Sequence, residues 1–158
     1  MVVDPDFRVG FIMFQDVVRF IAYREAERID AQNLPLDADE MVTHGAVQNV
    51  AYIQPGVTWR PGSFSIAIQL LMAWSEQLVY DRVNTLTPSA PRNSFDEMAA
   101  SFYGTEASGT LRYTLDFERY RTAGIGIDAG ILLPGPAISA SAGGDPITKI
   151  LWRLDLGW

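Results

Sequence analysis

Residues 148–158 read TKILWRLDLGW, and this stretch decides the fold class. Every second side chain after Thr148 is apolar, up to Trp158, whereas three of the five side chains between them are charged. A β-strand sends successive side chains to opposite faces of its sheet, so this segment has one apolar and one polar face. A transmembrane β-strand needs about 9–11 tilted residues, and the segment is long enough. The pattern therefore predicts a strand that is able to cross a bilayer.

The same alternation recurs upstream, at residues 47–60, 64–75, 102–117 and 122–133. In 64–75 the apolar residues lie two apart over six repeats, which favours a strand over a helix.

The N-terminal part is harder to interpret. Its alternation begins at Phe7 and slips near Gln15, which predicts one long strand to Ala22 with a bulge. A helix from Gln15 to Ile29 is the alternative. The acidic residues 24–45 are predicted to form a solvated loop.

Connections between the predicted strands alternate in length. Residues 61–63 and 118–121 are short, whereas 24–46, 76–101 and 134–146 are long. Outer-membrane barrels have short periplasmic turns and long external loops. Aromatic residues gather at both strand ends, as amphipathic rings do at headgroup level. The predicted aromatic girdle comprises Trp59, Phe64, Trp74, Phe117, Tyr120 and Trp158.

The polar face of the predicted strands carries small residues and charges of both signs. In a barrel these charges would line the interior, where they would either set charge selectivity or pair across strands. The predicted lumen-facing residues are Arg60, Glu106, Arg112, Asp116, Asp128, Lys149, Arg153 and Asp155.

Composition narrows the functional classes. The 158 residues fit a single domain over 1–158, and 48% apolar with 20% charged residues excludes a disordered chain. A net charge of −7 argues against nucleic-acid binding. With no cysteine, and His44 as the only histidine, in a predicted loop, we expect no enzyme activity, no cofactor and no metal site.

Residues 47–158 resemble the C-terminal part of bacterial outer-membrane β-barrel proteins, notably the alginate-export-like and porin-like ones. The resemblance lies in AYIQPGVTWRP (51–61), YGTEASGTLRYT (103–114), GIDAGILLPGPA (126–137) and the closing strand with its terminal aromatic. It implies a bacterial outer-membrane location, with membrane lipid and lipopolysaccharide as partners. It also implies that the barrel-insertion machinery reads the C-terminal strand.

The expected fold is all-β: an antiparallel up-and-down transmembrane β-barrel, or the C-terminal portion of one, with about six strands in this chain. Single-chain barrels begin at eight strands, and an unpaired edge is not tolerated in hydrocarbon. We therefore expect the remaining strands to come from a missing N-terminal part or from other copies of the chain.

The expected function is a channel or export conduit for small polar solutes or polysaccharide. One alternative is a soluble β-barrel that binds an apolar ligand in its interior, with Ile66, Ile68, Leu70, Ile125 and Ile127 as the wall. Another is a structural or adhesive membrane barrel whose lumen is plugged. Alternation alone does not say which face points inward.

Overall fold

The computed structural model describes residues 10–31, 50–81, 84–85, 90–117, 121–139 and 144–157. These residues form a six-stranded, antiparallel β-sheet preceded by a helical segment, so the expected β class is confirmed. The elements are a π-helical turn Met13–Val18, helix α1 Arg19–Ala31, and strands β1 Val50–Ile53, β2 Gly56–Trp59, β3 Phe64–Val79, β4 Ala100–Phe117, β5 Arg121–Pro134 and β6 Ile147–Gly157.

The strands follow the order β1-β3-β4-β5-β6, and β2 also pairs with β3. Strands β1 and β2 keep one continuous register on β3, because Ile53 faces Met72 and Gly56 faces Gln69. Pro55 lies between them and has no N–H to donate. Its carbonyl still accepts a hydrogen bond of 3.0 Å from the backbone N–H of Leu70. Over its described residues, the predicted strand 47–60 is thus one line of pairing from Val50 to Trp59, interrupted at Gln54 and Pro55.

A bulge lies in β4 where it pairs with β3. Ala73 faces Gly104 and Trp74 faces Phe102, so Tyr103 is the extra residue. Gly104 has φ +129°, and a Cβ there would come within 2.3 Å of the carbonyl oxygen of Leu133. Only glycine fits this backbone. The bulge directs the side chain of Tyr103 into the buried core.

The prediction of a long N-terminal strand is wrong, and the helical alternative is correct. The backbone is helical from Met13 to Ala31, and Asp16 and Val17 donate their N–H groups to the carbonyl of Ile12. Helix formation satisfies these groups within the segment, so no neighbouring strand is needed. The loop predicted over 24–45 is wrong for residues 24–31, which belong to helix α1, and its remaining residues, like Phe7, lie outside the described part of the chain.

The sheet has two unlike faces, and the register assigns each strand residue to one of them. We call the face that includes Ile68, Ile125 and Leu154 the apolar face. At the described positions where β3, β4, β5 and β6 pair side by side, this face carries no charged residue. Its large apolar side chains that are exposed to solvent are Ile53, Val57, Trp59, Phe64, Ile68, Leu70, Leu111, Leu115, Ile125, Ile131, Leu133, Ile150, Trp152 and Leu154.

The opposite face, which we call the charged face, carries the buried core. This core lies between the helical segment and the ends of β3, β4 and β5 that adjoin the long connections. Its members are Ile12, Met13, Phe14, Leu71, Ala73, Tyr103, Leu132, Ala137 and Ile138.

Within the described residues the sheet is open. Strands β1 and β2 form one edge and β6 forms the other, and neither edge has a further strand partner there. The helices of the described part are too short or too polar for any of them to span a bilayer.

Candidate functional site

The charged face brings together most of the predicted lumen-facing residues. Arg112 and Arg153 both align with Gly126, one from each neighbouring strand. By register the face includes Glu106, Arg112, Asp116, Asp128, Lys149, Arg153 and Asp155. Arg60 is exposed and follows β2, outside the paired strands.

The predicted aromatic girdle is described only in part. Trp59 and Phe64 are exposed on the apolar face, and the Phe64 ring lies 4.6 Å from the ring of Tyr113. At the other end of β3, the Trp74 ring lies 5.5 Å from that of Phe102. The side chain of Phe117, like that of Asp116, and the residues Tyr120 and Trp158 lie outside the described part.

Among the described charged residues of this face, Glu106 is the most deeply buried. Its side chain is buried, with the residue only 1% exposed, and its carboxylate accepts three backbone hydrogen bonds. Ile12 and Met13 donate to Oε2 at 3.0 and 2.7 Å, and Phe11 donates to Oε1. Three charge-assisted hydrogen bonds compensate the burial of one carboxylate. Residues 10–31, here called the N-terminal segment, are therefore fixed to β4 by this side chain.

Lys149 makes a second link to the N-terminal segment, from β6. Its Nζ lies 2.5 Å from Asp16 Oδ2 and 4.7 Å from the centre of the Phe11 ring. It also donates to the carbonyl oxygen of Phe11 at 3.4 Å. The charge on Lys149 is thus shared among a carboxylate, a carbonyl and an aromatic face.

Two glycines allow the segment to lie close to the sheet. A Cβ on Gly130 would come within 2.8 Å of Phe11 Cδ1 and 3.3 Å of Ile12 Cδ1. Gly10 has φ +69°, and a Cβ there would come within 2.7 Å of Leu71 Cδ2. Both contacts are too short for an added methyl group, so close packing here depends on glycine.

Away from the N-terminal segment, the charged face carries a polar cluster. Asp128 is buried, accepts a hydrogen bond of 2.7 Å from the Thr110 hydroxyl and pairs with the guanidinium of Arg153. Arg112 and Asp155 are exposed on the same face. Charges of both signs therefore line this half of the face.

Asn93 joins the two long connections. Its Nδ2 donates to the carbonyl oxygens of Pro136 and Ser139 at 3.0 and 3.1 Å, and its Oδ1 accepts from the backbone N–H groups of Phe95 and Glu97. The side chain is fully buried and uses both donor hydrogens and two acceptor sites. It therefore ties residues 90–99 to residues 135–139.

Helix α1 is attached to the first of these connections. Arg28 pairs with the buried Asp81 at 3.0 Å and donates to Asn84 at 2.7 Å. A cleft of about 660 Å³ lies between the helix and this connection, with Phe20, Ile21 and Phe95 among its walls. In the part of the chain that the structure describes, no group of acidic or histidine side chains is placed to hold a metal ion.

The alternation predicts that Glu106 shares a face with the other charged strand residues, as the register shows, but it does not predict the role of its carboxylate. Its partners are backbone groups more than ninety residues away in the chain, and backbone N–H groups leave no side-chain pattern to detect. Asn93 was missed too, because it lies in a polar stretch where an asparagine is unremarkable. The glycines of β5 offered the one visible signal, since Gly124, Gly126 and Gly130 leave room on the charged face.

Comparison of the chain with protein-family models, with curated proteins and with solved structures gives no match.

Proposed function

We propose that this sheet is part of the wall of a bacterial outer-membrane β-barrel that conducts small polar solutes or polysaccharide. Its apolar face contacts lipid and its charged face lines the interior. The observation that carries the proposal is the segregation of the two faces: exposed apolar side chains cover one, and the charges lie on the other.

Exposure on the apolar face is too extensive for a surface in contact with water. Ile68 is 65% exposed, Trp152 72% and Leu154 73%. Burying one large apolar side chain contributes about 1.5–3 kcal/mol. Water-soluble monomers rarely expose a contiguous apolar patch of more than a few hundred Å². Hydrocarbon removes this cost, so lipid is the proposed partner of this face.

The position of the core argues against the soluble, ligand-binding alternative. In such a barrel the apolar residues Ile68, Leu70 and Ile125 would enclose a shared interior, but all three are exposed. The buried residues instead lie on the opposite face, beneath the N-terminal segment. This arrangement supports lipid outside rather than an apolar ligand inside.

The two open edges call for further strands in a membrane. Unpaired N–H and C=O groups have no partner in hydrocarbon, so a spanning sheet has to close on itself. The proposed barrel is therefore completed by strands beyond those described, from a longer chain or from other copies. Strand β6 is the one that the insertion machinery would read.

The lengths of the connections give the proposed orientation. Residues 80–99 and 135–146 join strands at one end of the sheet, and the short connections 60–63 and 118–120 join them at the other. Long loops face outward in bacterial barrels. The end with the long connections would therefore meet lipopolysaccharide, and the short turns would face the periplasm.

Site-directed spin labelling along β6 tests the proposal. Because the chain has no cysteine, single-cysteine variants at 150 to 154 need no other change. In lipid bilayers, labels at Ile150, Trp152 and Leu154 should be accessible to oxygen and shielded from a water-soluble nickel complex. Labels at Leu151 and Arg153 should show the reverse pattern, and they are the matched controls.

Two outcomes would contradict the proposal. One is a chain that remains monodisperse and folded without detergent or lipid. The other is a chain in which the labels at 150, 152 and 154 stay accessible to the nickel complex after addition of lipid.

A further inference from the structure

We infer that the N-terminal segment is a plug that occupies the barrel interior, and that Glu106 is the residue that holds it there. The inference rests on the proposed function, because a plug requires that the charged face line a lumen. It goes beyond that function by naming which part of the chain closes the conduit and which contact keeps it closed.

Glu106 is covered by the N-terminal segment. A carboxylate that lined an open aqueous lumen would be hydrated, whereas Glu106 is almost completely buried beneath residues of the N-terminal segment. Three consecutive N–H groups, from Phe11 to Met13, replace its water. Phe11 and Ile12 precede the helical backbone and Met13 begins it, so their N–H groups have no carbonyl partner within the helix. The carboxylate therefore satisfies donors that would otherwise be orphaned.

Gly130 leaves space on the charged face for the N-terminal segment. At Gly130 the strand has no side chain, and the space is filled by Phe11 and Ile12 of the segment. Gly124, on the same strand and the same face, instead faces Asp155, whose Cβ would be 3.6 Å from an added Cβ. The strand thus leaves a gap where the segment packs, whereas a Cβ at Gly124 would meet only ordinary contacts.

The N-terminal segment contributes no strand to the sheet. Each strand pairs with its neighbours through its own backbone, and residues 10–31 appear in none of these pairings. The segment is held by packing in the buried core, by the polar contacts of Glu106 and Lys149, and by the contacts of Arg28 with Asp81 and Asn84. It can therefore leave the charged face without loss of strand pairing, as displacement of a plug requires.

Two variants of the full-length chain in lipid bilayers test the inference. Glu106→Gln replaces one acceptor oxygen with a donor that faces the N–H groups, and Gly130→Val inserts a side chain beneath Phe11. The matched controls are Asp155→Asn, an acid on the same face, and Gly124→Val, a glycine on the same strand and face.

The first readout is backbone hydrogen exchange of residues 10–18, which needs no reporter substitution. We expect protection of these amides in the unmodified chain and in both controls. In Glu106→Gln and Gly130→Val we expect exchange that is faster by about tenfold or more, the factor that corresponds to about 1.4 kcal/mol. Exchange in β4 and β5 should stay slow, which separates undocking of the segment from unfolding of the sheet.

The second readout is conductance in planar bilayers. We expect low conductance from the unmodified chain and both controls, and a larger conductance from the two undocking variants. If β4 and β5 are unprotected in one variant, that variant has not folded, and the other decides.

Distinct results overturn the plug and the proposed function. Fast exchange of residues 10–18 in the unmodified chain, with the β6 labelling pattern intact, would reject the plug and leave the barrel proposal standing. Undocking variants that release the segment without a rise in conductance would also reject the plug. Absence of the β6 pattern would reject the barrel proposal, and the plug with it.

Discussion

The ammonium group of Lys149 lies 2.5 Å from the carboxylate of Asp16, so the last strand of the sheet is joined to the N-terminal segment across 133 positions of the chain. Lys149 also lies over the ring of Phe11. Glu106 makes the neighbouring contact from β4, and it is far more deeply buried than either member of the ion pair. The two contacts therefore hold the same segment with different strengths.

Asp16→Asn is expected to lower the free energy of unfolding by less than about 1 kcal/mol, since the carboxylate is 46% exposed and exposed pairs contribute little. Glu106→Gln is expected to cost about 2–4 kcal/mol, because each hydrogen bond to a charged group contributes about 1.5–3 kcal/mol. Urea titration of both variants in lipid vesicles measures the difference. Equal losses would show that burial does not separate the two contacts.

Asn93→Asp should destabilise the connections more than any exposed substitution near them. The new carboxylate oxygen would face the carbonyl oxygens of Pro136 and Ser139 in place of an N–H donor. We expect a loss of about 3 kcal/mol, with faster proteolysis within 90–99 and 135–139. Ser94→Ala, at the next position, should change the stability by less than about 0.5 kcal/mol. A loss in Ser94→Ala as large as that in Asn93→Asp would contradict the assignment.

Gly104→Ala should disrupt the bulge in β4. The added methyl group would lie 2.3 Å from the Leu133 carbonyl oxygen, at a positive φ that alanine rarely adopts. We expect a loss of about 3 kcal/mol, measured by urea unfolding. Gly109→Ala is the control, because its Cβ would meet only the Ala67 carbonyl oxygen at 3.5 Å. That control should be neutral or slightly stabilising, and a comparable loss in both would mean that strand glycines in general, rather than the bulge, are critical.

Arg153 and Asp128 should behave as a coupled pair. Arg153→Met leaves the buried carboxylate of Asp128 with the Thr110 hydroxyl as its described partner. Because the Arg153 side chain is 41% exposed, we expect the free energy of unfolding to fall by about 1–2 kcal/mol. Breaking a fully buried pair would cost about 3–5 kcal/mol. The double variant with Asp128→Asn should lose at least about 0.5 kcal/mol less than the sum of the single losses. Additive losses in this double-mutant cycle would show that the contact is not energetically coupled.

The strands were predictable because their signal is local. Alternation in residues 64–75 and 122–133 identified two strands, whose observed ends lie within a few residues of the predicted ones. The bulge at Gly104 was not predicted, because it depends on a contact with the backbone of β5. The strand predicted from Phe7 to Ala22 is wrong over its described residues from Met13 onward, because the alternation that ends at Met13 does not continue into the helical backbone that begins there.

The alternation of apolar and polar residues is enough to predict long antiparallel strands with one apolar and one charged face. That property follows from the period of two in the backbone, and each residue's face is settled by its immediate neighbours in the chain. The position of the buried core on the charged face, beneath residues 10–31, does not follow from that alternation. It depends on contacts of Glu106 and Gly130 with groups more than ninety residues away in the chain, which come close only when the whole chain has folded.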